Sequence, residues 1–160
     1  KHGCIVYDEA IWSNYYPGTE YAFMHKVPTN ASSIILMRLG EIYLLHAEAL
    51  AMTGDLAGAT EYVNKIRERA GIKTISVPAS QDAMIDAILH ERRLELAFEG
   101  FRFFDLLRHG FDRAKAIHDA MPQQDKYWQP RFPLTEETVY MPIPQTALDN
   151  NPSLVQNAGY

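Results

Sequence analysis

The sequence predicts an all-α protein built from helical hairpins, with long irregular loops and an extended C-terminal tail. Three observations carry this. Leu56, Ala59, Val63, Ile66 and Ala70 recur at spacings of three and four, the period of a single helix face. Glycines at 54, 71, 100 and 110 fall where such helices would stop. Outside the periodic region the character changes: the first thirty residues are aromatic and turn-rich, and prolines at 130, 133, 142, 144 and 152 follow Met121-Pro122.

The 160 residues suit one domain, with an irregular lead-in over 1–32, a helical core over 33–120, and a loop and tail over 121–160. The lead-in holds Tyr7, Trp12, Tyr15, Tyr16, Tyr21 and Phe23 around a Pro17-Gly18 turn, with room for one short strand. A first helix is predicted over 34–53. It is apolar around most of its circumference, which argues for burial on several sides. Gly54-Asp55 then supplies a break and an N-cap for a second helix over 56–70, closed by Gly71. A loop with Pro78 leads to Ser80, an N-cap for a third helix ending near Glu99, with Asp82 in its first turn favourably placed for the helix dipole. Shorter helices are predicted over 101–109 and 111–120. The tail is expected to drape over them in extended form.

Composition excludes several classes. Net charge is −5 and basic residues form no patch, so there is no footprint for nucleic acid. No apolar run reaches the roughly 18 residues of a bilayer span; the longest, 34–52, is interrupted by Arg38, Glu41 and Glu48. Cys4 is the single cysteine, which rules out an internal disulfide framework and a multi-cysteine metal site. Three residues without an apolar signal core precede it, so it does not read as a lipid-bearing cysteine. The chain reads as a piece of something longer.

The first two helices fit a tetratricopeptide-like pair. Tyr43 takes the large position and Ala47 the small one, Leu50 follows one turn on, Gly54 sits in the turn, and Ala59 and Val63 continue the stripe. Small side chains let the helices approach closely. His46 stands where a leucine is usual, and Gly71 near the usual proline. One clear repeat is present, whereas an independent solenoid needs about three.

Two groups of residues look chemical. Glu91, Glu95 and Glu99 share one helix face beside Arg92 and Arg93, and Arg102, Asp105 and Arg108 extend the set. A carboxylate pair for glycoside hydrolysis is one reading. The preferred one is a structural ion-pair network tying these helices to Arg38, Glu41 and Glu48. The second group is aromatic. Trp12 and Tyr16 (with Tyr15 and Asn14) and Tyr127, Trp128 and Arg131 (with Gln129) could stack on sugar C–H faces, or plug gaps between helices. His90-Glu91 lacks the second histidine of a zincin motif, since position 94 is Leu94, and no phosphate loop or nucleophile elbow is present. No metal, cofactor or catalytic residue is expected.

Three segments together resemble the SusD/RagB family: Met37-Arg38-Leu39-Gly40-Glu41-Ile42-Tyr43-Leu44-Leu45 with Ala47-Glu48-Ala49; His90 to Gly100 continuing through Arg102, Asp105-Leu106 and Arg108; and Pro142-Ile143-Pro144-Gln145 with Asn151-Pro152 and Gln156-Asn157-Ala158-Gly159-Tyr160. The resemblance covers roughly the last four fifths of the chain and matches the family's C-terminal part. It implies tetratricopeptide-like helices and a lipoprotein on the outer face of a Gram-negative outer membrane, its lipid anchor in a part upstream of this chain. It also implies a SusC-like TonB-dependent transporter as partner and an oligo- or polysaccharide or similar nutrient as ligand. The resemblance also implies a structural role for the charged segment. The leading expectation is thus a non-enzymatic glycan-binding module delivering its ligand to the transporter. The alternative is a helical scaffold that docks on the transporter with the ligand held elsewhere. A glycoside hydrolase stands third.

Overall fold

A computed structural model of the chain describes residues 5–6, 23–24, 26, 36–124 and 134–160. Among these the architecture is all-α apart from one two-residue antiparallel pair, β1 (Ile5–Val6) against β2 (Phe23–Met24), in the register Ile5↔Met24. The helices are α1 (Leu39–Met52), α2 (Leu56–Arg69), α3 (Gln81–Glu95), α4 (Arg102–Arg108), α5 (Phe111–Gln124) and α6 (Gln145–Asn150). The chain divides into two compact units, residues 1–102 and 103–160.

In the first unit α1, α2 and α3 pack on one another. Leu44, Ala47 and Ala51 of α1, Ala59, Val63 and Ile66 of α2, and Met84, Ile85, Ile88 and Leu89 of α3 form the core. Ala47 and Ala59 have no exposed surface, as the small positions of a tight hairpin require. Of the predicted α2 stripe, Leu56 is half-buried and Ala70 exposed. The hairpin turn follows from local chemistry. Gly54 takes φ 91°, a left-handed conformation that costs an L side chain more than glycine. This lets the amide of Asp55 reach back to the Leu50 carbonyl (2.9 Å) and close α1. The Asp55 carboxylate then accepts from the Gly58 amide (2.8 Å) and opens α2. Ser80 opens α3 in the same way, accepting from the Ala83 amide at 3.2 Å. The loop between α2 and α3 is held by Asn64, whose side-chain amide both donates to and accepts from the backbone of Ile75.

Three predicted boundaries move. The first helix starts at Leu39 rather than near 34, because residues 36–38 are not helical and Arg38 is extended (φ −149°, ψ 159°). The third stops at Glu95 rather than Glu99: Phe98 adopts φ 68°, which no helix can contain. The fifth continues past Met121-Pro122 to Gln124, with the proline in its last turn, where it removes a single amide donor.

In the second unit Asp105, Leu106, Ala114 and Leu134 are buried. The tail is not wholly extended. Pro144 precedes α6, whose first turn needs no amide from it. The Gln156 side chain accepts from the Ile143 amide (2.8 Å) and donates to the Ile143 carbonyl (2.9 Å), acting as a short strand would. Asn157 donates to the Met141 carbonyl at 2.6 Å. Gln156→Ala removes both bonds to Ile143 and, at about 1 kcal/mol each, is expected to lower local protection there by about 2 kcal/mol. Hydrogen exchange of the Ile143 amide reads this directly.

Candidate functional site

The densest polar constellation among the described residues surrounds the C-terminal end of α3. Arg38, just ahead of α1, forks onto it: its Nη1 pairs with Glu95, its Nη2 and Nε reach Glu99 at 2.8 and 3.0 Å, and its Nη2 donates to the Glu95 carbonyl at 2.5 Å. The extended backbone of Arg38 is what aims the guanidinium away from α1 and toward α3. Gly40 makes the approach possible, since a Cβ there would lie 2.7 Å from both Arg38 Nη1 and Glu95 Oε1. Lys26 joins from the lead-in, pairing with Glu99 and donating to the carbonyls of Glu95 (2.9 Å) and Ala97 (3.2 Å). Arg69, at the end of α2, closes the ring on Glu95 at 2.5 Å. Two cations thus meet the bare carbonyls of a helix C-terminus, where the helix dipole favours positive charge.

The charges are set by these contacts. Burial alone would raise the pKa values of Glu95 and Glu99, but hydrogen bonds and charge from Arg38 with Arg69, and from Arg38 with Lys26, outweigh it and hold both below the ordinary carboxylate range. Burial opposes the Arg38 charge too, and the two glutamates reverse that and raise its pKa. Since the folded carboxylates titrate lower than unfolded ones, the folded state binds fewer protons in acid. The stability they contribute is fully present above the unfolded value of about 4.3 and disappears as pH falls through the lowered values. Acid titration of unfolding should therefore show a steep loss below about pH 4.3 that is shallower in Glu99→Gln.

The remaining members of the predicted network are distributed differently. Glu91 is buried and pairs with Arg67 of α2 at 2.6 Å. Arg92 is 2% exposed and Glu48 7%, both inside the three-helix unit. Glu41 is 8% exposed, and its Oε2 has no hydrogen-bond partner among the described residues. Arg93 is exposed and makes no ion pair among the described residues. Arg102 donates to the Leu89 carbonyl at 3.1 Å. Asp105, 2% exposed, pairs with Arg108 at 3.1 Å within the second unit. Lys26, Arg67 and Arg69 were not anticipated. Arg67 and Arg69 stand in the last turn of α2, and only the hairpin's return brings them to α3. The aromatic candidates Trp12, Tyr16, Tyr127 and Trp128, together with Arg131, lie outside the described residues.

A second, unanticipated cluster straddles the hairpin. Tyr43 and His46 of α1 meet Tyr62 of α2 edge to face, with centroids at 5.5 and 4.4 Å, and Lys65 lies 4.2 Å from the Tyr62 ring centre. His46, the departure from the repeat pattern, thus replaces an apolar contact with an aromatic one at the hairpin's edge. Among the described residues no three His, Cys, Asp or Glu side chains converge as a metal site requires.

The sequence model of the SusD family matches residues 12–160. A SusD-like protein of Formosa agariphila is 34% identical over 100% of this chain and 32% of its own length. A second from the same organism is 32% identical over 79% of this chain and 24% of its own. Two crystal structures are similar in fold and sequence. A SusD superfamily protein from Bacteroides vulgatus superposes with a TM-score of 0.59 at 29% identity, covering 78% of this chain and 27% of that one. A SusD-like protein from Bacteroides fragilis gives 0.57 at 29% identity, covering 79% and 26%. The α1–α2 hairpin is tetratricopeptide-like, as are the helices of these structures. The chain spans about a third or less of the length of the curated relatives it matches.

Proposed function

The chain belongs to the SusD family, and from that premise we propose that it is the C-terminal part of a non-catalytic, outer-membrane glycan-binding lipoprotein that passes its ligand to a SusC-like TonB-dependent transporter. The observation that carries the non-catalytic reading is the state of the carboxylates. A glycosidase needs one carboxylic acid with a raised pKa to protonate the leaving oxygen. Glu95 and Glu99 are shifted the other way, each held ionised by two cations, and Glu91 is buried against Arg67. Glu95 and Glu99, shifted in that direction, serve to tie helices together and are poorly suited to giving up a proton. No described helix is long and apolar enough to cross a membrane, and a lipid anchor in the longer protein would supply the attachment.

Glycan contact falls to the aromatic side chains of Tyr127 and Trp128 together with the Arg131 guanidinium, with Trp12 and Tyr16 as a second platform. A sugar's C–H face stacks on Trp or Tyr while a guanidinium meets its hydroxyls. Affinity electrophoresis through gels carrying a panel of soluble polysaccharides tests this. One polymer is expected to retard the protein, and Trp128→Ala is expected to weaken that retardation about tenfold or more, the value of one lost stacking contact. Retardation that survives Trp128→Ala unchanged would remove that residue from the site.

A further inference from the structure

The chain leaving α3 is bent into a socket for an ammonium group. Phe98 takes φ 68°, a conformation unfavourable to a bulky residue. Phe98 is 54% exposed, so burial of its ring does not account for the turn. A strained backbone kept at one position points to a use there. The use is polar. The turn gathers the carbonyls of Glu95 and Ala97 and the carboxylate of Glu99 round one point. There Lys26 Nζ donates to the two carbonyls at 2.9 and 3.2 Å and pairs with Glu99. An ammonium carries three donors and no acceptor, and each of the three has an acceptor here. The acceptors suit its charge. One is a carboxylate 6% exposed, and two are carbonyls at and just past the end of α3, where the helix dipole is negative.

The segment on the other side of this contact needs an anchor. Lys26 stands two residues beyond β2. The strands β1 and β2 are two residues long, and neither packs on a described helix. A two-stranded ribbon by itself is marginal at best in water. Lys26 supplies every side-chain hydrogen bond and ion pair that joins the described lead-in residues to the helices. Arg38 and Arg69 hold the same glutamates without touching those residues. The ring thus has two cations that serve the helices and one that serves the ribbon. We propose that Lys26 is a strap: seated in the socket at the end of α3, it fixes the β1–β2 ribbon on the three-helix unit. When the seat is lost, the ribbon comes loose while the helices stay folded. Trp12 and Tyr16 fall between the two strands in sequence, so the same lysine sets where the stretch that carries them starts and finishes.

Hydrogen exchange on the 160-residue chain tests this, with Lys26→Met and Arg69→Met compared with the parent. In Lys26→Met, protection of the Ile5–Val6 and Phe23–Met24 amides is expected to fall about tenfold or more, and that of the α1 and α2 core amides about threefold at most, as for release of one local unit. In Arg69→Met the ribbon amides are expected to keep their protection. Ribbon protection unchanged by Lys26→Met would overturn the proposal, as would a ribbon already unprotected in the parent. So would an equal fall in ribbon and helices, or a loss of ribbon protection in Arg69→Met. A second pair of variants leaves Lys26 in place and changes the socket. Phe98→Gly takes the positive φ freely and should keep the ribbon protected. Phe98→Pro cannot take it and should release the ribbon as Lys26→Met does. Protection kept in Phe98→Pro, or lost in Phe98→Gly, would equally overturn the proposal.

Discussion

Arg38→Met is expected to lower the unfolding free energy of the 1–102 unit by about 2–4 kcal/mol. Removing one partner from a buried ion pair typically costs about 3–5 kcal/mol, because the abandoned charge stays desolvated. Here the guanidinium serves two carboxylates that are only 9% and 6% exposed, and one helix-terminal carbonyl. The discount reflects the fifth of its side chain that sees water and the cations, Arg69 and Lys26, that remain on Glu95 and Glu99. Arg38→Lys is expected to recover less than half of the loss. An ammonium cannot reproduce the fork that spans two carboxylates. Urea unfolding of the three proteins measures both quantities.

Leu44→Ala is expected to cost about 3–5 kcal/mol, in the upper part of the range for a buried leucine. Leu44 has no exposed surface, and its neighbours on that face of α1 are Ala47, Ala51 and Gly40, which have no side chain long enough to collapse into the space. Leu45→Ala, one position along and 36% exposed, is the internal control, expected within about 0.5 kcal/mol in this chain. The contrast checks the rotational setting of α1, since a helix turned by one residue would exchange the two results.

The hairpin and α3 were legible because their signals are local. Gly54-Asp55 and Ser80 mark starts that the structure uses as caps, and the Ala59, Val63, Ile66 stripe lies on the buried side. The start of α1 was not legible. The run through Ile34, Ile35, Leu36 and Met37 continues a helical pattern, and only a partner 57 residues away in sequence explains why Arg38 must be extended. The same distance hides the charged cluster. Spacing within one helix groups Glu91, Glu95 and Glu99, but their cations come from α2, from the residue before α1 and from the lead-in. Arg93, two residues from both Glu91 and Glu95 in sequence, joins none of the three glutamates among the described residues. The early end of α3 depends on Phe98 in a left-handed conformation, which no residue preference for phenylalanine predicts. In the tail, prolines signalled irregular structure correctly, yet α6 fits between Pro144 and Pro152 because six residues need no interior proline.

A structural rather than chemical role for the acids at the end of α3 is tested most directly by a double-mutant cycle on Arg38→Met and Glu99→Gln. Unfolding free energies and polysaccharide retardation are measured on the same four proteins. The predicted result is a stabilising coupling of about 1–3 kcal/mol between the two positions, with retardation unchanged in all four. Additive stabilities together with lost retardation or lost turnover of the retained polymer would contradict it, and would make Glu99 a residue of the ligand site.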